Sequence, residues 1–341
     1  MDGSLLGDVF SALTALFNGF IGDPAQVIWA KPLYLLQNVL GGLMVGILYS
    51  LVALGFALIY KASGVFNFAQ GMMAVFAALG LVYFHDRLFL PLFGGSLYGL
   101  TIIVSITATM AMMAILAWLV ERLMLRPLVN QPELILFMST IGLYFFLEGF
   151  GEVLFNFVSN SPVPMKDLGI QSGPWMPIEG IRLQKVDLSS AAVAAVLVGV
   201  LALLFQKTPI GRALRAVADD HQAALSVGIP LNWMWVIVWI IAGAVGLVAG
   251  IMWGASSGGV DASLAFIALK ALPVLILGGF TSIPGVIVGG LIIGIGERLA
   301  EIYWSPFLGD SIEVWFAYVL ALIILLYRPQ GLFGEKIIER V

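Results

Sequence analysis

The sequence contains no cysteine and only two histidines, His85 and His221. Disulfides, thiolate metal sites and cysteine nucleophiles are thereby excluded. Two histidines so far apart do not suggest a metal centre. Charge is scarce: Asp, Glu, Lys and Arg make up 11% of the chain, against 61% hydrophobic residues, where soluble domains carry roughly 25% charged residues. No G-x-x-x-x-G-K-[ST] occurs, so no loop of the usual kind cradles nucleotide phosphates. H-E-x-x-H, a Ser/His pair and a clustered carboxylate dyad are also missing, which argues against an intramembrane enzyme. The formal net charge of −4 gives no basic face for nucleic acid.

What remains is apolar sequence in long runs, each near the ~20 residues needed to cross a bilayer. Nine candidate spans stand out: Leu35–Tyr60, Ala69–Phe84, Tyr98–Val120, Leu134–Phe155, Leu188–Phe205, Trp233–Trp253, Leu264–Leu277, Gly285–Ala300 and Ile312–Tyr327. The expected fold is all-α, a polytopic bundle of about eight to nine membrane segments. Leu264–Leu277 is short enough to be a half-helix or re-entrant segment. Residues 1–30 form a separate unit without a basic leader. Leu6, Val9, Phe10, Leu13, Leu16, Phe17 and Phe20 recur at helical spacing there, with Asp8, Ser11, Thr14 and Asn18 between them. That pattern suits a helix lying in a membrane interface, or else an additional, poorly formed span. Residues 31–341 then make up the membrane domain.

Positive charge orients the chain. Arg122 and Arg126, then Lys207, Arg212 and Arg215, then Arg328, Lys336 and Arg340 form three groups separated by even numbers of spans. All three fall on one side, assigned to the cytoplasm. Lys61 is then inside, Arg87 outside, the N-terminus outside and the C-terminus cytoplasmic. The loop Asn156–Val186 lies outside, either as a solvated connector or as a docking surface. Gly42 and Gly46, Gly246 and Gly250, and Gly290 and Gly294 stand four apart on expected helices. Such pairs let helix backbones approach closely in lipid.

One polar stretch interrupts the apolar pattern, GRALRAVADDHQAALSVGI from Gly211 to Ile229. Thr208 and Pro209 start a short helix as N-cap and first-turn proline, with Ile210, Leu214 and Val217 as its apolar stripe. Asp219 or Asp220 can cap a second short helix, which Gly228 and Pro230 end. Helical coupling segments are thus expected at about 207–230.

QAALSVGI, Gln222 to Ile229, resembles the EAA-type coupling loop of ABC importer permeases, with Gln222 where glutamate is usual. ALGFALIYKASGVFNFAQG (53–71), LGGFTSIPGVIVGG (277–290) and YRPQGLFG (327–334) resemble segments of the branched-chain amino acid ABC permeases. Together they cover the chain from about residue 35 onward, and the earlier residues extend beyond the pattern. Gln70 and Met72 stand where that family commonly has histidine and glutamate.

The resemblance implies a non-enzymatic permease subunit in the bacterial cytoplasmic membrane. Its cargo would be branched-chain or other neutral amino acids, or urea, amides or aromatic carboxylates. This chain would hold no cofactor, because ATP and magnesium sit on two partner ATPase subunits. A second permease, identical or homologous, and an external solute-binding protein would complete the assembly in membrane lipid. An ion-coupled secondary carrier is the competing reading, and it requires carboxylates at span centres.

ATPase coupling is expected at Gly211, Arg212, Arg215, Asp219, Asp220, Gln222, Ala223, Ala224 and Gly228. For the substrate path, Asn67, Phe68, Gln70 and Gly71 follow a span where a helix is expected to break; Asn67 and Gln70 offer amide groups and Phe68 an apolar wall. Thr281 and Ser282 can bend the chain beside that path or simply make a turn. Lys270, a cation inside an apolar segment, can attract a carboxylate, hold a neighbouring helix or snorkel. Glu148 and Glu152 are expected to face water or another subunit.

Overall fold

The computed structural model describes residues 11–334 apart from 12–13, 16, 24–25, 27–29, 94–96, 129–130, 157–161, 165–172, 220 and 310. Most of the expected interfacial helix, together with Lys166, Asp167, Asp220, Lys336 and Arg340, lies outside these residues. Within them, Asn18–Gly22 makes a π-helical turn, and Gly19 touches the ring of Phe307.

All nine apolar runs are helical. The helices are α1 (Pro32–Ser63), α2 (Gln70–Val82), α3 (Tyr98–Val120), α4 (Glu133–Phe155), α5 (Lys185–Lys207), α6 (Pro209–Asp219), α7 (His221–Ser226), α8 (Leu231–Ser257), α9 (Ile267–Gly278), α10 (Ile283–Leu308) and α11 (Ile312–Tyr327). Helix α2 runs on through a π-helical stretch, Tyr83–Phe89, and a last turn, Leu90–Phe93; counted with that continuation, seven helices among the described residues are long and apolar enough to cross a membrane, and Ala262–Gly278 and Ile312–Tyr327 are shorter apolar helices. The protein is a multi-pass helical bundle.

Helix α1 is its axis. Its 32 residues would extend about 48 Å at the α-helical rise, and it packs against α5, α8, α9 and α10. Lipid tails are as apolar as leucine, so helices gain little from hiding leucine against one another, and close van der Waals contact matters more. The glycine pairs supply that contact, in two seams. Gly42 and Gly46 of α1 face Gly290 and Gly294 of α10 so closely that a Cβ at Gly42 would lie 2.7 Å from the Ile295 Cα, and one at Gly46 2.6 Å from the Gly290 carbonyl oxygen. Ser50 follows on the same face and donates to the Ile287 carbonyl at 3.1 Å. Gly246 and Gly250 of α8 lie against the α2 backbone at Ala74 and the Ala78 methyl in the same manner.

Two segments depart from simple spanning helices. After Lys61 the chain reverses at Gly64, which has φ +68°, and Val65–Ala69 runs back beside α1. Phe66 stacks on Phe56 with ring centroids 5.1 Å apart. Non-helical backbone at membrane depth survives only where protein covers it, and Val65, Asn67 and Ala69 are buried. The second departure is the short stretch Ala262–Gly278, a 3-10 turn leading into α9. Pro273 inside α9 has no N–H for the Leu269 carbonyl, and the Tyr318 hydroxyl of α11 donates to that carbonyl at 3.0 Å instead.

Part of the loop Asn156–Val186 is regular among its described residues. Pro174–Ile178 (β1) and Ile181–Gln184 (β2) form a two-stranded antiparallel hairpin. Ile181 and Leu183 alternate inward against Met44 and Ala191, while Trp175, Met176 and Ile178 remain exposed. Val163 pairs with Val260 through two 2.8 Å hydrogen bonds. An otherwise all-α fold therefore carries a small β-element at the end opposite α6 and α7.

Substitution separates close contact from mere helix composition. Gly294→Leu should lower the thermal midpoint of the purified protein strongly, since overpacking a tight contact costs about 1–3 kcal/mol or more. A Cβ at Gly149 meets nothing within 4 Å, so Gly149→Ala should leave the midpoint unchanged or slightly raised, within about 1 kcal/mol.

Candidate functional site

The residues singled out from the sequence fall in three places. Asn67, Gln70 and Gly71 form a buried strut. The Asn67 amide donates to Gln70 Oε1 at 3.3 Å, its Oδ1 accepts from the Ala69 N–H at 3.1 Å, and the Gln70 amide donates to the Ala242 carbonyl of α8 at 3.1 Å. Gly71 is pressed against the Ala265 carbonyl and Ala268. The helix break expected here is present, and these amide contacts hold the returning chain. Thr140 of α4 closes the other side, accepting from the Phe68 N–H at 3.1 Å and lying 3.2 Å from the Phe66 carbonyl.

Phe68 faces elsewhere. With Phe56, Phe66, Tyr144, Glu148, Phe266 and Leu269 it lines an apolar cavity of about 350 Å³. Asn67 and Gln70 are not among its walls. Glu148 is the one carboxylate there, while Glu152 is exposed. Glu148, expected like Glu152 to face water or another subunit, is half-buried in the wall of this cavity beside the exposed Phe145 and Phe266. Thr140, Tyr144 and Glu148 stand four apart on α4, and this polar stripe within an apolar span is the sequence signal that could have located the cavity.

Lys270 lies in a charged cluster between helices. Its Nζ is 3.9 Å from Glu297 Oε2 and 4.0 Å from Glu313 Oε1, and 5.9 Å from the Tyr49 ring centroid. The Tyr49 hydroxyl donates to Glu297 Oε2 at 3.0 Å, and Trp253 stacks on Tyr49 at 5.6 Å. The cluster joins α1, α9, α10 and α11. Of the three roles open to Lys270, the geometry matches holding a neighbouring helix. Glu297 gives no signal in the sequence, because an isolated carboxylate forms no periodic pattern.

The third place is the end of the bundle that carries α6 and α7. Thr208 caps α6, its Oγ1 accepting from the Gly211 N–H at 3.1 Å. Gly211 is fitted so tightly against the Leu204 and Phe205 carbonyls that a side chain has no room, and Arg215 donates to the Phe205 carbonyl. Gly211, Leu214 and Val217 are the buried face. Ile210 is not part of it and is 42% exposed, because a helix seated through Gly211 turns its neighbour by about 100°. Ala224 is buried, while Arg212, Asp219, Gln222, Ala223, Leu225 and Val227 face out. Gly228, with φ +85°, ends α7, and the Ile229 N–H donates to the Ala224 carbonyl at 3.0 Å.

Thr281 and Ser282 belong to this end, away from the Phe68 cavity. Lys61 Nζ donates to the Thr281 carbonyl at 3.2 Å, and Ser282 caps α10 by accepting from the Gly285 N–H at 3.1 Å. The C-terminal segment locks onto the same turn, with the Leu332 N–H 2.8 Å from the Leu277 carbonyl and the Phe333 N–H 3.3 Å from the Gly278 carbonyl. Four stretches far apart in sequence (53–71, 211–229, 277–290 and 327–334) each contribute walls to one cavity of about 270 Å³.

Residues 38–327 match the family model for the permease component of the branched-chain amino acid transport system. The chain is 29% identical over 317 residues to the high-affinity branched-chain amino acid transport system permease protein LivH of Escherichia coli, covering 91% of this chain and 98% of that relative. It is 28% identical over 307 residues to the corresponding protein BraD of Pseudomonas aeruginosa, covering 90% and 98%. A probable branched-chain amino acid transport permease protein LivH of Methanocaldococcus jannaschii is 29% identical over 307 residues, covering 86% and 91%. With most of its length matched, this multi-pass chain belongs to the permease components of the branched-chain amino acid transport system.

Proposed function

We propose that the chain forms the membrane conduit of an importer for branched-chain or other neutral amino acids. It is paired with itself or a related permease and driven by two ATPase subunits on other chains. The observation that carries this reading is the seating of α6. Gly211 and Arg215 weld the short helix to the end of α5, while Ile210, Leu225 and Val227 present apolar side chains outward. A rigid helix with an exposed apolar face is suited to receive force from a partner. Moving a two-state channel from 1:99 to 99:1 requires about 5.5 kcal/mol of differential binding, and a loose loop would dissipate it.

Lys61, Arg122, Arg126, Lys207, Arg212, Arg215 and Arg328 follow or precede spans at the α6–α7 end, which supports a cytoplasmic assignment by the positive-inside rule. The exposed Trp175, Met176 and Ile178 of the β-hairpin then face outward, where a solute-binding protein would dock. The Phe68 cavity supports a cargo with an apolar side chain, since its walls are mostly aromatic and aliphatic and its one carboxylate, Glu148, can meet an ammonium group. Against an ion-coupled carrier stands the engagement of the buried carboxylate Glu297, whose Oε2 already meets Tyr49 and Lys270.

Leu225→Asp and Val227→Asp change exposed positions. They should leave folding and membrane insertion intact and reduce ATPase co-purification about tenfold or more, as expected for interface anchors. Retention of the ATPase by both variants would overturn the coupling assignment. Gly211→Val should have the opposite profile: the ATPase is kept, but uptake in proteoliposomes is lost because α6 no longer sits on α5.

Lys270 allows a separate check. Lys270→Met should destabilise the protein by about 1–3 kcal/mol, less than a fully buried pair because the lysine is partly exposed, and Lys270→Met/Glu297→Gln should recover much of that loss. If Lys270 instead meets cargo directly, both variants lose uptake equally while their thermal midpoints stay at the wild-type value.

A further inference from the structure

The cavity beside α6 has a chemistry that force transmission does not require. Lys61 and Arg215 both line it. Each gives one hydrogen bond to a backbone carbonyl, of Thr281 and Phe205 respectively. An ammonium carries three N–H donors and a guanidinium five, so most of their donors remain. Among the described residues neither cation has a carboxylate within 4.0 Å, the ion pairs being those of His85 with Asp86 and of Lys270 with Glu297 and Glu313. Both cations are partly buried. Holding two like charges in one half-buried cavity is unfavourable unless an anion joins them.

The rest of the lining fits such an anion. The 26-residue helix α10 begins at this cavity, and its N-terminus adds partial positive charge. Thr281 and Ser282 place hydroxyl groups in the same wall, and Gln206 contributes an amide. Leu58, Ala62, Phe205, Ile283 and Phe333 supply an apolar remainder. A small, strongly hydrated ion would gain nothing from those walls, whereas the glycerol portion of a phosphodiester would.

We propose that this cavity binds a phosphate group, carried by an anionic phospholipid headgroup or by a soluble phosphate compound. Basic pockets between membrane helices near the cytoplasmic leaflet are suited to lipid headgroups, and a phosphate oxygen can accept from Lys61 and Arg215 together. The ligand would bridge α1, α6 and the start of α10, so its occupancy ties the lever to the conduit. The charge and lining of the cavity are the same whichever way the chain crosses the bilayer.

The purified full-length permease, stripped of lipid in detergent, provides the test. Thermal midpoints are read in the presence of phosphatidylglycerol, phosphatidylcholine, inorganic phosphate, or chloride at matched ionic strength, and retained lipid is read by native mass spectrometry. The expected result is a rise with phosphatidylglycerol, inorganic phosphate or both, and none with phosphatidylcholine or chloride. A rise with phosphatidylglycerol alone identifies the lipid as the source, and a rise with phosphate alone identifies a soluble one.

Lys61→Gln/Arg215→Gln should weaken the effect about tenfold or more, the size of a lost charged hydrogen bond. Thr281→Asp should do the same by placing a carboxylate in the cavity, without touching the backbone carbonyl that Lys61 uses. Lys61→Arg keeps the charge and should keep binding. The proposal is overturned if the wild-type protein responds to neither phosphate source, or if the response survives undiminished in both the glutamine and aspartate variants.

Discussion

Direct backbone contact between α1 and α10 is the interaction on which the rest of this bundle depends. A soluble protein of similar length could rely on burying leucine and phenylalanine, but a lipid-embedded one cannot, because its helices are solvated by hydrocarbon when apart. Gly42, Gly46, Gly290 and Gly294 remove the side chains that would keep the two helices separated. The contact then brings Tyr49 to Glu297 and Ser50 to the Ile287 carbonyl. Lys270 approaches the same carboxylate from α9, so the charged cluster is assembled on a seam that glycine made possible.

A second constraint is the lack of water in the hydrocarbon region. Every peptide group there needs a protein partner, and the two irregular segments show how that is met. Val65–Ala69 is tied down by the side chains of Asn67 and Thr140. The break at Pro273 is met by Tyr318 from another helix. These polar residues resemble substrate ligands when read one at a time. In the folded chain the Asn67 and Gln70 amides are engaged with their neighbours, and Phe68 turns to an apolar cavity with Tyr144 and Glu148.

The two constraints yield a molecule with distinct working regions. One end carries two short helices, α6 seated on α5 and α7 against α6 and α8, with exposed outer faces. The opposite end carries a β-hairpin with an exposed apolar strand, and between them lies an aromatic cavity. The two surfaces and the cavity are separated along the bundle. The turn after α9 and the C-terminal segment both close on the α6–α7 end, where α1, α6 and α10 share the walls of one cavity.

Much of this architecture was determined locally and was therefore legible in the amino-acid sequence. Nine apolar runs, the Thr208-Pro209 helix start, the Gly228 stop and the four-residue glycine spacing each depend on a few neighbouring residues. The bilayer adds only a length requirement that the sequence meets. What the tertiary structure alone decided depends on partners remote in sequence: Glu297 beside Lys270, Thr140 beside Phe68, the place of Glu148 in the Phe68 cavity, the outward turn of Ile210, and the cavity to which four separated stretches contribute. A side chain's chemical type limits what it can do, but its role here follows from which helix lies opposite, and in a bilayer that is settled by backbone fit between glycines rather than by any pattern along the chain.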